Sequence, residues 1–310
     1  MSAASEVVVR APAKINVHLG VGPVRADGFH ALHTVYVAVS LYDTVTARPG
    51  KGLSLTVSGE GAGGRGAGLV PADRTNLVWR AAELLAAHAG VRADADLHVA
   101  KEIPVAAGLA GGSADAAATL VALDALWGTR AGREDLLHLA AQLGSDVPFG
   151  LVGGTALGTG RGEQVSPVLA GGRWHWVLGI AGEGLSTPRV YAELDRLRAA
   201  GQVPDVAEPG SADAVLTALR RGSADELGAV LSNDLQAAAL SLRPDLRRAV
   251  RAAREAGARA ALVSGSGPTV AALADDGRGA VRLAAELAGA GVFRTVRAVT
   301  GPVPGARPAS

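Results

Sequence analysis

The sequence predicts an α+β fold of two layered domains. Three observations lead there. Short alternating runs crowd the first hundred or so residues, helical runs fill the middle and the later part, and strands return near residues 174, 260, 270 and 293 without strict βα alternation. A chain of 310 residues is long enough for two modest cores. Hydrophobic residues make up 48% of it but aromatics only 3%, so those cores are expected to be built from Ala, Leu and Val with closely approaching helices.

The elements follow in order. Alternation predicts strands over Val7–Ala11, Asn16–Val21, Thr34–Val39, Asp43–Ala47 and Leu53–Val57. Gly59 to Gly68 reads as a mobile glycine-rich loop. Asn76–His88 has helical spacing, with Leu77, Ala81, Leu84 and Leu85 on one face and Gly90 as a stop. Leu97–Ala100 is a strand. It leads through a glycine-rich turn, Pro104–Asp115, into a small-residue helix over Ala114–Trp127, and Arg133–Leu143 is a further helix. Thr155–Leu157 and Trp174–Ile180 read as strands. Val190–Ala200, Ala212–Arg220, Ala224–Val230, Leu246–Ala256 and Ala280–Ala288 read as helices. Ala260–Ser264, Val270–Ala274 and Phe293–Val299 read as strands. The tail from Gly301 is rich in proline and small residues and is expected to fray. Glycines at 160, 162, 171 and 172 put a domain boundary near 160–170, which divides the chain into 1–165 and 166–310.

Composition excludes several classes. The net charge of +1 leaves no electrostatic footprint for nucleic acid. With no cysteine there is no disulfide framework, no zinc–thiolate site and no thiol nucleophile. Met1–Arg10 lacks signal-peptide architecture, and no apolar run approaches the roughly 20 residues of a membrane helix. A soluble cytoplasmic protein with no membrane partner is the expectation. The basic residues are nearly all arginine. The lysines are Lys14, Lys51 and Lys101, and the asparagines Asn16, Asn76 and Asn233. Such a skew suggests GC-rich coding, which drifts away from lysine and asparagine codons and weights those that remain toward a chemical role.

Five short stretches carry candidate chemistry. In Ala11–Val17, alternation puts Lys14 and Asn16 on one strand face, a point cation beside an amide; a solvated strand face has the same pattern. Asp27–Gly28 is a turn signal that presents Phe29 and His30 side by side, a pair that can stack on and hydrogen-bond a flat heterocycle or simply pack a hairpin. Pro104–Asp115, P-V-A-A-G-L-A-G-G-S-A-D, joins a strand to a helix N-terminus. Glycines there let backbone N–H groups approach phosphate oxygens, and the helix dipole favours negative charge. The loop has neither the P-loop nor the dinucleotide spacing, and it also suits entry to a tightly packed helix. Ser113 adds a hydroxyl at the helix start, usable as a cap or as a phosphate or Mg2+ contact. In Leu143–Phe149, Asp146 is held between Gly144 and Pro148, as a candidate base or cation partner or as a local cap. Val263–Thr269 is a second glycine-rich turn, either a plain hairpin turn or the far wall of a phosphate site.

Taken together and in this order, PAKINVHL, RADGFHALHTV, P-x-x-x-G-L-x-G-G-S, LGSDVPF and SGSGP resemble the GHMP kinase family, from about Val9 to Ala274. The resemblance implies a two-domain fold with the active site in the cleft between the domains. It implies direct transfer of the ATP γ-phosphoryl group, with Mg2+, to the 2-hydroxyl of a small molecule carrying a cytidine diphosphate group, a step of isoprenoid precursor synthesis. It assigns Asp146 as the residue that takes or orients the hydroxyl proton, with Lys14 beside it. Pro104, Gly108, Leu109, Ala110, Gly111, Gly112, Ser113 and Ala114 match the ATP loop, and Asn76 and Lys101 match positions near the adenosine. Asn16, Phe29, His30, Thr187 and Tyr191 match the acceptor side, His30 on the cytosine and Tyr191 stacking. No dedicated metal ligand is matched, so ATP oxygens and water are expected to hold most of a Mg2+ shell.

This chain departs from the family pattern in two places. Phe29 stands where tyrosine is common, which keeps stacking and loses a hydroxyl. Ala106, Ala107 and Ala110 stand where glycine is frequent, which suits the loop if their φ is negative. Two other readings stay open: a family kinase for another small molecule, such as homoserine or mevalonate, against which Phe29, His30 and Tyr191 argue; and a non-catalytic nucleotide sensor, which would need neither Lys14 nor Asp146.

Overall fold

In the computed structural model, which describes residues 6–62 and 70–309, the first four expected strands fuse into one long hairpin. β1 (Val7–Val24) and β2 (His30–Arg48) pair antiparallel, with register shifts between Pro12 and Ala13, between Asn16 and His18, and between Val21 and Val24. The breaks in alternation are therefore bulges, which interrupt the period of two without ending the strand. There follow β3 (Leu53–Gly59), α1 (Leu77–Ala89), β4 (Ala95–Lys101), α2 (Gly111–Trp127), α3 (Arg133–Leu143), α4 (Val147–Val152), β5 (Thr155–Thr159) and β6 (Gln164–Pro167). The second half contains β7 (Trp174–Ile180), α5 (Thr187–Ala199), α6 (Asp213–Arg221), α7 (Ala224–Val230), β8 (Ser232–Asn233), α8 (Gln236–Leu242), α9 (Asp245–Glu255), β9 (Ala260–Val263), β10 (Val270–Ala274), α10 (Gly277–Gly289), β11 (Thr295–Gly301) and β12 (Arg307–Pro308). Short α4 and α8 escaped the sequence reading because one or two turns carry too little periodicity to register. Most of the glycine-rich loop expected over Gly59–Gly68 lies outside the described residues.

The first sheet runs β12-β1-β2-β4-β3, with β5 and β6 attached at β2 and β8 at β1. The second runs β11-β7-β10-β9, antiparallel throughout. In β7 and β10 alternate residues serve different cores. Trp176, Leu178, Ala271 and Leu273 join the core shared with the first sheet, whereas Val177, Val270, Ala272 and Ala274 join the core under α5, α8, α9 and α10. Both faces of this sheet are thus covered, which is why its strands read as continuous apolar runs. α2 is apolar nearly all round, with Ala114, Ala116, Ala117, Ala118, Leu120, Ala122 and Leu123 buried, as a central helix requires.

The tail from Gly301 does not fray. Pro304 bridges Gly153, β12 pairs with β1 at Val9 and Arg10, and the Ala309 N–H donates to the Val8 carbonyl. Proline and small residues are compatible with a short edge strand, which needs few ladder donors. Among the described residues no helix is long and apolar enough to cross a membrane.

Candidate active site

Strand register makes the centre of the site. Lys14 and Asn16 lie two apart on β1, and the Lys14 ammonium donates to Asn16 Oδ1 at 2.7 Å and to the Gly108 carbonyl at 3.1 Å. Asn16 Nδ2 donates to Thr34 Oγ1 at 2.7 Å, and that hydroxyl donates to the His18 carbonyl at 2.8 Å, so the amide's orientation is fixed. The register sets Tyr36 opposite Asn16. From there the Tyr36 hydroxyl donates to Asp146 Oδ1 at 3.0 Å, and Lys14 Nζ stands 3.7 Å from Asp146 Oδ2. Asp146 precedes α4 without capping it, so its carboxylate is free to face the site. Its side chain is 30% exposed against 8% for Lys14: the anion opens to the cavity and the cation sits behind it. Burial first, then the Asp146 charge, push the Tyr36 phenol well above its ordinary range, so it stays a donor.

The glycine loop differs from expectation in detail. α2 begins at Gly111, three residues before the expected start, so Ser113 lies in its first turn and caps nothing. Ala110 occupies the cap position with φ +58°, and Ala106 has φ +51°. Both alanines are left-handed, contrary to the negative φ the sequence reading required, at a cost of about 1–2 kcal/mol each. Strain of this kind is held in place by surrounding structure and concentrates at functional sites. No side chain caps α2, and its first turn carries no acidic residue, so the amides there face the cavity mouth with the positive end of the dipole. The second glycine turn, between β9 and β10, rests on this loop: the Thr269 N–H donates to the Ala107 carbonyl at 3.3 Å, and a Cβ on Gly108 would fall 2.4 Å from the Ser264 carbonyl oxygen.

On the acceptor side, His30 from β2 meets α5. The His30 and Tyr191 rings lie 4.9 Å apart, and His30 Nε2 is 2.9 Å from Asp195 Oδ1. The Asp195 carboxylate accepts a hydrogen bond from Nε2–H, which leaves Nδ1 as the ring nitrogen it does not engage. Phe29 is half exposed at the rim. Thr187, at the start of α5, pairs its hydroxyl with Ser266 at 2.9 Å.

One cavity of about 940 Å3 collects these groups. Every residue that the family resemblance assigned to the site lines it except Leu109 and Ala114, whose side chains are buried in the core. Asn76 lines it while capping α1, its Oδ1 accepting from the Val78 N–H at 2.9 Å. Lys101 lines it too, but its ammonium is bound to Asp43 at 2.5 Å and Asp115 at 2.6 Å, beneath the first turn of α2. Burial works against that ammonium's charge; Asp115 and Asp43 outweigh it and raise its pKa. Burial likewise pushes the Asp115 carboxyl well above the usual range, against the pull of Lys101. Sequence reasoning missed Tyr36, Asp195, Asp43 and Asp115. Alternation in Thr34–Val39 put Tyr36 on the Thr34 face, and Asp195 follows Tyr191 by four, one helical turn. Nothing local marks Asp43 or Asp115, because their partner is brought by the fold.

Residues 76–154 match the family model described as "GHMP kinases N terminal domain", and residues 215–292 the one described as "GHMP kinases C terminal". A Rhodococcus jostii (strain RHA1) protein, "4-diphosphocytidyl-2-C-methyl-D-erythritol kinase", is 58% identical over 301 residues, covering 97% of this chain and 94% of its own length. The chain belongs to the GHMP kinase family. A Mycobacterium tuberculosis (strain ATCC 25177 / H37Ra) protein of the same description is 55% identical, covering 97% of this chain and 92% of its own. A crystal structure of 4-(cytidine 5'-diphospho)-2C-methyl-D-erythritol kinase superposes with a TM-score of 0.73 at 34% identity, covering 95% of this chain and 98% of that one. A homoserine kinase from Cytophaga hutchinsonii has the same fold, with a TM-score of 0.73 at 20% identity.

Proposed function

We propose that the protein transfers the ATP γ-phosphoryl group to the 2-hydroxyl of 4-diphosphocytidyl-2-C-methyl-D-erythritol, in the non-mevalonate route to isoprenoid precursors. The observation that carries this reading is the continuity of one cavity. It runs from the uncapped start of α2, past the Lys14–Asp146 pair, to the His30–Tyr191 pair. The names of the 58% and 55% identical relatives support the choice of acceptor.

In this mechanism the first-turn amides of α2 and the glycine loop hold the triphosphate, and positioning with charge neutralisation does most of the catalytic work. Asp146 accepts or orients the proton of the attacking hydroxyl. Lys14, fixed by Asn16 and the Gly108 carbonyl, keeps positive charge beside Asp146 and the developing anion. Tyr36 holds Asp146 by the oxygen other than the one that faces Lys14. His30 presents Nδ1 to the cytosine, with Tyr191 and Phe29 as stacking surfaces. Among the described residues no cluster of three or more His, Asp or Glu side chains forms a metal cage. The Ser113 hydroxyl, which caps nothing and lines the cavity, would be the protein oxygen beside a Mg2+ delivered on ATP. Such an ion would neutralise phosphate charge. Residues 1–165 form the ATP-binding domain in this reading and 166–310 the second.

The test is a coupled ADP-release assay with the cytidine diphosphate ester, mevalonate and homoserine as competing acceptors. Turnover confined to the cytidine ester is expected; turnover with either of the others at comparable kcat/KM overturns the assignment.

A further inference from the structure

The turn joining β5 to β6, Gly160–Arg161–Gly162, runs along the wall of the cavity between its two chemical ends. The Gly160 carbonyl accepts from the Leu32 N–H at 2.9 Å, and the Arg161 N–H donates to Glu163 Oε2 at 2.6 Å, so the turn is pinned on both sides. Gly160 and Gly162 have φ +71° and +99°, the backbone that lets so short a turn aim Arg161 inward. At one end the Arg161 guanidinium lies over the Phe29 ring, 4.8 Å from its centroid. At the other, the Gly162 carbonyl is 3.5 Å from the Tyr36 hydroxyl, which bonds Asp146. The turn thus reaches from the aromatic pocket, where the guanidinium lies, to the hydroxyl that bonds Asp146.

Its charge is also the least tightly held of the cavity's cations, paired only with Glu163 at 3.9 Å. Among the described residues, three lysine or arginine side chains line the cavity. Lys14 is bonded to Asn16 and Gly108 beside Asp146, and Lys101 is held by two buried carboxylates. The Arg161 guanidinium approaches Glu163 at 3.9 Å, beyond hydrogen-bond range, and its side chain is 30% exposed.

We infer that Arg161 is the clamp for the diphosphate of the acceptor. The inference rests on the cytidine diphosphate reading above: in such a molecule the diphosphate lies between the base and the reacting alcohol, as the Gly160–Arg161–Gly162 turn spans from Phe29 to the Tyr36 hydroxyl on Asp146. A guanidinium offers a planar fork of donors to two phosphate oxygens, and stacking on Phe29 fixes the plane of that fork before the ligand arrives.

The test is calorimetric titration of cytidine, CMP and CDP into the protein with its ATP side saturated by a non-hydrolysable ATP analogue. CDP is expected to bind wild type about tenfold or more tighter than cytidine. Arg161→Gln is expected to bind cytidine within about twofold of wild type and to lose most of the CDP gain, and Arg161→Lys to retain roughly a third of it or less, because a point charge replaces the fork. A full CDP gain in either variant that still binds cytidine overturns the clamp, as does a wild type that binds CDP no better than cytidine. A wild type that binds the ATP analogue but none of the cytidine compounds instead overturns the acceptor reading itself.

Discussion

The buried Tyr36 hydroxyl donates to Oδ1 of Asp146 across 3.0 Å, and so holds the carboxylate by the oxygen other than the one that faces Lys14. Its ring is stacked 4.8 Å from Phe149, two residues beyond the start of α4, so the donor cannot swing away. A hydrogen bond to a charged group contributes about 1.5–3 kcal/mol. Tyr36→Phe is therefore expected to lower kcat roughly tenfold or more with the KM for ATP unchanged. A loss that appears only in KM would mean that the hydroxyl serves binding and not the orientation of Asp146.

In the proposed mechanism Asp146→Asn removes the proton acceptor while keeping the shape. A fall in kcat of at least about a hundredfold is expected, with ATP affinity nearly intact, the pattern of an interaction made in the transition state. Steady-state kinetics with an equilibrium titration of ATP on the same variant measure both halves. Near-wild-type turnover would remove Asp146 from the mechanism.

Lys101→Met strands Asp43 and Asp115 in the interior without their cation. Breaking such a buried pair costs about 3–5 kcal/mol. Burial already holds the Asp115 carboxyl above its usual range, and without the pull of Lys101 it ionises still less readily folded than unfolded, so the folded state binds more protons. Its stability is then greatest below the ordinary carboxylate range and falls as pH rises through the raised folded values. Thermal unfolding at about pH 5 and pH 8 should show a larger deficit against wild type at pH 8. An unchanged melting temperature at both would leave Lys101 as an ATP contact alone.

The glycine loop gives a pair of opposed outcomes. Gly108 has φ +77°, and an added Cβ would meet the Ser264 carbonyl, so Gly108→Ala is expected to lose more than about 1–2 kcal/mol and to raise the KM for ATP. Ala110→Gly relieves a left-handed alanine, partly offset by the roughly 0.5–1 kcal/mol of extra freedom glycine gives the unfolded chain. A net change between zero and about 1 kcal/mol of stabilisation is expected from urea unfolding. A clear destabilisation by Ala110→Gly would show that the alanine methyl holds the turn.

His30→Ala is expected to raise the KM for the cytidine substrate more than that for ATP, and Asp195→Ala to do the same by a smaller factor, since it acts through the ring. Equal effects on both substrates would detach His30 from the acceptor end.

Much of the site is legible in the residues themselves. Four of the six retained lysines and asparagines, Lys14, Lys101, Asn16 and Asn76, line the cavity, and a fifth, Asn233, donates to the Gly265 carbonyl beneath it, so composition points to chemistry that spacing alone leaves open. What stays hidden depends on distance in the chain. Asp43 and Asp115 look like any strand and helix acid until 58 and 14 residues of chain fold back to bring Lys101 between them. The left-handed alanines stay hidden because alanine marks no such conformation; only the surrounding contacts impose it.

Strand β12 has a further consequence, one of time. β1 is synthesised almost three hundred residues ahead of its outer neighbour, Val9 waiting for Pro308. Over that interval the Val9–Arg10 stretch of its edge has open backbone groups, the condition under which nascent strands pair with other chains. Holding the first sheet out of trouble until its last strand is made is a task that falls to the cell as much as to the fold.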